Sequence, residues 1–195
     1  MSLPTHYFDR LYAAADDPWG FSSRWYEQRK YALTLAALPA PSYDRVLEVG
    51  CSVGVLTQQL APRCRQLTAM DPSEAALARA ANRVGTGASL LRGAVPDDWP
   101  DGPWDLVVLS EVGYYLDAAD LQRLLDLVER DLAPSGTVVA CHWRHPVADY
   151  PQTGDAVHEA LARWPRLSRV QEQDFLLDVL CPDGVVPVAA REGLR

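Results

Sequence analysis

"VLEVGCSVGVLT", residues 46–57, is the stretch on which the fold turns. Its first five residues form a short apolar run closed by glycine, the pattern of a strand buried on both faces. Gly50-Cys51-Ser52-Val53-Gly54 then fits two patterns. One is G-x-S-x-G, a strand-to-helix elbow that would present Ser52 as a nucleophile. The other is an acidic residue, Glu48, ahead of a glycine loop that opens a helix, where backbone comes close to a nucleotide-like ligand.

Outward from this stretch the chain alternates strand-like and helix-like segments. Residues 44–50, 65–71, 88–93, 104–111 and 136–143 read as strands, with "WDLVVLSE" (104–111) the most continuously apolar. Helices are expected over 54–64, over 73–85 with Ser73 as N-cap and Gly85 as stop, from near Asp117 to Pro134, and over 155–164. Residues 175–180 and 185–190 read as closing strands. This alternation predicts an α/β fold, a doubly wound, Rossmann-like seven-stranded mixed sheet with ligands beyond the carboxyl ends of its strands. Residues 44–195 would form the core of a single domain. Residues 1–40, read as two aromatic-rich helices broken at Asp17-Pro18, would form an N-terminal helical cap.

The elbow reading fits this order poorly. An elbow serine usually follows several strands, whereas Ser52 follows the first, and no HGGG-like oxyanion motif precedes it. A triad would have to draw on Asp117 or Asp120 with His142, His145 or His158. The ligand reading gains from two spacings. Glu48 ends the first strand, and Asp71 ends the next, about twenty residues beyond the loop, where a carboxylate can accept both hydroxyls of a ribose. Gly50, Cys51, Ser52 and Gly54 would supply the close backbone, and the helix opening at Gly54 would add N–H donors.

The 195 residues suit one domain, and 48% hydrophobic with 23% charged residues is ordinary globular composition. A net charge of -8 argues against a nucleic-acid partner, which needs clustered Lys and Arg. The partner expected is a small-molecule acceptor. Four cysteines without a C-x-x-C pair suggest free thiols and a cytoplasmic location. No run approaches the roughly 18 apolar residues of a membrane span. His142-x-x-His145 lacks a third metal ligand, and no metal is expected.

Glu-x-Gly-x-Ser-x-Gly resembles motif I of class I S-adenosylmethionine (SAM) methyltransferases, with Ser52 in place of the middle glycine. "LTAMDPS" resembles their second motif, which puts Asp71 on the ribose with Pro72 beside it. "LLRGAVPDDWP" resembles the third, where Ala94 replaces the usual acid and leaves the adenine to backbone at Ala94 and Val95, or to Asp97. "WDLVVLSEVGYYL" and "APSGTVVACHW" complete the series. A narrower resemblance links "DDPWGF…WYEQRKYALTLAALP", "SEVGYYL" and "HWRHPVADYPQTGD" to the N-methyltransferases of the nodulation protein S type, which methylate the free amine of a deacetylated glucosamine in an oligosaccharide. It implies SAM as cofactor and an amino sugar as acceptor, with O-methylation or a non-catalytic SAM-binding module as alternatives.

Under that resemblance Lys30 would pair with the SAM carboxylate and Trp19 would cover the cofactor. Glu111, at the end of the central strand, would orient the SAM ammonium or hold the acceptor amine. Of Tyr114 and Tyr115, one would line the pocket. His142, ending the fifth strand, would serve as a base, while Arg144, Asp149 and Tyr150 would offer a polar loop to sugar hydroxyls. His158 would be structural.

Overall fold

The computed structural model describes residues 1–195. Seven strands are present: β1 (Tyr43–Val49), β2 (Cys64–Asp71), β3 (Ser89–Arg92), β4 (Trp104–Ser110), β5 (Leu132–Trp143), β6 (Arg166–Gln171) and β7 (Phe175–Leu180). They form one sheet in the order β3-β2-β1-β4-β5-β7-β6. β1 to β5 pair in parallel, and β7 runs antiparallel to both β5 and β6. β7 is therefore the one strand that runs against the rest.

Two apolar clusters, one on each face, hold the sheet. Leu47, Val107, Leu109, Val138 and Ala140 face α5 (Ala118–Asp131) through Leu121, Leu124, Leu125 and Val128. Val46, Leu106, Val108, Val139 and Cys141 face α2 (Trp25–Ala37) and α3 (Val55–Leu60). Alternation along each strand thus feeds two cores, the requirement of a doubly wound sheet. The helices start where their caps dictate. Ser73 accepts from Ala76 N–H to open α4 (Glu74–Val84), and Asp117 accepts from Ala119 and Asp120 N–H at 3.0 Å to open α5.

Three expectations need correction. Residues 185–190 are not a strand: Pro187 interrupts the run, Val185, Val186 and Val188 are exposed, and a short helix, α7 (Val188–Arg191), follows. The seventh strand is β6, an edge strand in which only Leu167 and Val170 are partly covered. Helix α5 ends at Asp131, and Leu132, expected on it, begins β5.

Before the sheet, α1 (Thr5–Ala14) and α2 flank a loop over residues 15–24. Asp17 pins this loop, accepting from Phe21 N–H at 2.9 Å and from the backbone and hydroxyl of Ser22. The loop brings Trp19 and Phe21 over the carboxyl ends of the strands.

Candidate active site

The tips of β1, β2 and β4 open into a cleft that is partly open to solvent. Glu48, Gly50, Cys51, Ser52, Asp71, Pro72, Ala94, Val95 and Glu111 line its floor, and Leu3, Phe8, Tyr12, Trp19 and Phe21 close it from above.

The loop geometry explains its residues. Gly50 has φ +73°, and a Cβ there would overlap the Val112 side chain, so only glycine lets the turn pass. Gly50 and Cys51 N–H both donate to Met70 O, tying the loop to the adjacent strand. Ser52 is itself left-handed at φ +51°, and its hydroxyl hydrogen-bonds Tyr12 Oη. None of the histidines bonds to it: His142, His145 and His158 are engaged elsewhere. Ser52 therefore has no general base, and the elbow reading fails.

Asp71 is a braced acceptor. Its Oδ2 accepts Ser52 N–H and its Oδ1 accepts Ser73 N–H, both at 2.9 Å. Burial pushes its carboxyl up to about 6, and those two N–H groups oppose the shift. Glu48 is 2% exposed and its Oε2 meets no hydrogen-bond donor. Burial pushes it up to about 8, and the neighbouring Asp71 carboxyl reinforces the shift. Ala94 N–H is already given to Asp98 Oδ2 at 2.9 Å, while Asp97 points to Arg123. Of these three residues, Ala94 and Val95 line the cleft and Asp97 does not.

A second chamber of about 1060 Å³ adjoins the cleft, and Trp19, Phe21, Tyr115 and Glu111 border both. Its walls include Tyr26, Tyr114, Trp143 and Tyr150. Glu111 sits at the junction with φ +60°, a strained conformation outside glycine. Its Oε1 accepts from Lys30 Nζ at 2.6 Å, and its Oε2 accepts from Tyr114 Oη–H and from Trp143 N–H at 3.1 Å.

Lys30 does not line the first cleft. It is buried between Glu111 and Glu27 Oε2, the latter 2.8 Å away, so its cation is spent inside the protein. His142 also departs from expectation. It is 0% exposed, with Nε2 accepting Gly113 N–H at 3.1 Å and Nδ1 donating to His158 Nε2 at 3.1 Å. His158 Nδ1 in turn donates to Asp178 Oδ2 at 2.7 Å. The chain ends on Arg169 and Arg166, and hydrogen bonds from Arg169 and His158 hold Asp178 down to about 2 against its burial. Each ring carries one proton and has both nitrogens engaged, so His142 has no lone pair for an acceptor. Strand alternation turns it to the α6 (Gly154–Ala160) side, away from the cleft. Arg144 is likewise tied to Asp155 and Glu172 O, and Asp149 is exposed, while Tyr150 does line the chamber.

Sequence reading missed Tyr12, Glu27, Tyr26 and Tyr31. Only their helical spacing signalled them, and that spacing marks packing as readily as a site.

The sheet order, the single reversed strand and the acidic tips on β1 and β2 define the Rossmann-like fold of the SAM-dependent methyltransferases. Within it, the chain belongs to the Nodulation protein S (NodS) family, whose profile matches residues 6–155. Nodulation protein S of Rhizobium tropici is 35% identical over 130 residues, covering 65% of this chain and 55% of that protein. That of Sinorhizobium fredii is 34% identical, covering 65% and 60%. The chain thus spans little more than half the length of these curated relatives. Among solved structures, N-methyltransferase NodS from Bradyrhizobium japonicum WM9 in complex with S-adenosyl-L-homocysteine superposes with a TM-score of 0.83 at 26% identity, covering 92% of this chain and 99% of that one. A Pseudomonas syringae chain assigned as a methyltransferase is 45% identical with a TM-score of 0.72, covering 81% and 99%.

Proposed function

We propose that the protein transfers the methyl group of SAM to the nitrogen of a small-molecule amine, with a deacetylated amino sugar as the acceptor class. Family membership supports the activity, and the likeness to a NodS bound to S-adenosyl-L-homocysteine supports the cofactor. The cleft residues fit such a donor. Asp71 keeps lone pairs for the two ribose hydroxyls, Gly50 leaves room where a Cβ would block, and Glu48 presents a carboxyl oxygen with no donor of its own. Bound there, SAM supplies a methyl group already activated on a sulfonium.

What remains for the protein is alignment and exclusion of water. Trp19, Phe21 and Tyr115, shared by both compartments, would close off solvent between donor and acceptor. The observation that carries the choice of an amine is the charge in the second chamber. Glu27, Glu111 and Asp174 face the cations Lys30 and Arg24, a formal excess of one negative charge among aromatic faces. That environment attracts an ammonium and offers a hydroxyl little.

Calorimetry with SAM and S-adenosylhomocysteine, with NADH as competitor, tests the donor. Transfer from labelled SAM to matched amine and hydroxyl compounds, deacetylated chito-oligomers included, tests the acceptor. Methyl recovered on oxygen would replace the reading by O-methylation. Tight SAM binding without transfer would leave a binding module.

A further inference from the structure

We propose that Glu27 is the proton acceptor that frees the amine for attack, a proposal resting on the amine-methylating reading above. An alkyl ammonium has no lone pair, so it must lose a proton within the site or enter already neutral.

The second chamber contains three carboxylates, and their bonding separates them. Both oxygens of Glu111 are engaged, Oε1 by Lys30 and Oε2 by Tyr114 and Trp143. Asp174 is half exposed at the rim and bound to His145 at 2.8 Å. Glu27 is 7% exposed and lines the chamber; its Oε2 is buried against Lys30 Nζ at 2.8 Å, and its Oε1 has no hydrogen-bond partner. Tyr26 Oη, one residue earlier, is also buried without a partner. An ammonium entering here meets the free Oε1 of Glu27 and the Tyr26 and Trp143 rings, which stand edge to face 5.7 Å apart.

The surrounding charges suit the role. Burial raises the Glu27 carboxyl above its ordinary value; Lys30 and Arg24 on its own side of the chamber pull it down, and Glu111, which follows β4, pushes it up. The neighbouring phenols of Tyr26 and Tyr31 are raised, by burial first, and stay neutral. In the step, one N–H bond of the ammonium breaks and its electron pair remains on nitrogen. An O–H bond forms on Glu27, and the proton later leaves through the chamber's open side. His142, sealed inside its hydrogen-bond chain, takes no part.

The test compares the unaltered protein with Glu27→Gln on a deacetylated chito-tetramer with labelled SAM, from pH 6 to 10. E27Q should lose about a hundredfold in kcat at pH 7, the usual worth of a positioned base. It should recover as pH rises and the free amine comes to dominate. An aryl amine, neutral at pH 7, should be methylated equally by both proteins. Without SAM, calorimetry should show weaker binding of the tetramer to E27Q, with binding of the acetylated tetramer unchanged. A uniform loss at all pH values and on both amines would mean a structural role, and an unchanged pH profile would remove Glu27 from the chemistry; either overturns the proposal. Absence of transfer to any amine by the unaltered protein would instead overturn the functional reading, and this proposal with it.

Discussion

Lys30 Nζ lies 2.6 Å from Glu111 Oε1 across a separation of 81 residues, and joins the N-terminal helix α2 to the turn after β4. This contact fixes the wall between the two compartments. With Glu27 it forms a buried triad whose members are all under about a tenth exposed at the side chain or close to it. Such an arrangement is held by pairing, and removal of its one cation leaves two carboxylates desolvated together.

Lys30→Met should therefore destabilise the protein by about 3–5 kcal/mol at pH 7, read from urea unfolding. The deficit should shrink as the pH falls and the orphaned carboxylates take up protons. Equal stability of K30M and its parent would mean that Glu27 and Glu111 carry no charge in the folded protein.

Asp71→Ala should weaken SAM binding by about 1–3 kcal/mol, the loss expected when hydrogen bonds to a charged group vanish. Part of that loss will come from Ser52 and Ser73, whose amides Asp71 braces. Calorimetry with sinefungin, a competing nucleoside, should show the same decrement. Unchanged affinity would remove Asp71 from the ribose.

Glu48→Gln should stabilise the ligand-free protein at alkaline pH. The unfolded carboxyl has an ordinary value of 4.5, and burial lifts the folded one to about 8. Between those values the folded chain keeps a proton that the unfolded chain releases. The contribution of Glu48 is thus fully present below pH 4.5 and drains away as pH rises through 8. A neutral amide avoids this loss, and E48Q should gain about 1–3 kcal/mol at pH 9 with little change near pH 4.5. SAM affinity should fall in the same variant, a stability–function trade.

His142→Ala should cost about 1–3 kcal/mol, because Gly113 N–H loses its buried acceptor. Burial and the His158 ring hold His142 well below the ordinary 6.5. The unfolded chain therefore binds a proton below pH 6.5 that the folded chain refuses, and stability falls as pH drops through that value. The H142A variant should show a flatter acid limb in a stability–pH series. Its turnover profile should keep its shape; a vanished acid limb in turnover would restore His142 as a base.

The parallel half of the sheet was legible because its strands carry short apolar runs, and the first two close on a glycine or an acid, as at Glu48-Val49-Gly50 and Asp71. The antiparallel edge was not. β6 reads "RLSRVQ", with only Leu167 and Val170 partly covered, and it is specified by its neighbour β7 rather than by its own hydrophobicity. The apolar run 185–190 misled because hydrophobicity alone cannot supply a strand partner, and Pro187 removes a donor. At the site, Glu48, Asp71 and Glu111 were visible as strand tips. The partners of Lys30 were not, because a contact spanning so many residues leaves no spacing signal. His142 looked available because it ends β5; which way it points depends on strand parity and on α6, which only the fold reveals.

The reversed position of β7 carries a consequence for biosynthesis. β6 leaves the ribosome before β7, yet its only neighbour in the sheet is β7, which slots in between it and β5. The same late strand delivers Asp178, the counter-ion of Arg166 and Arg169 and the acceptor for His158. This margin of the sheet cannot close while the nascent chain lacks residue 180. The parallel strands can assemble first, and the polar chain that steadies the Gly113 turn is completed by nearly the last ordered strand to emerge.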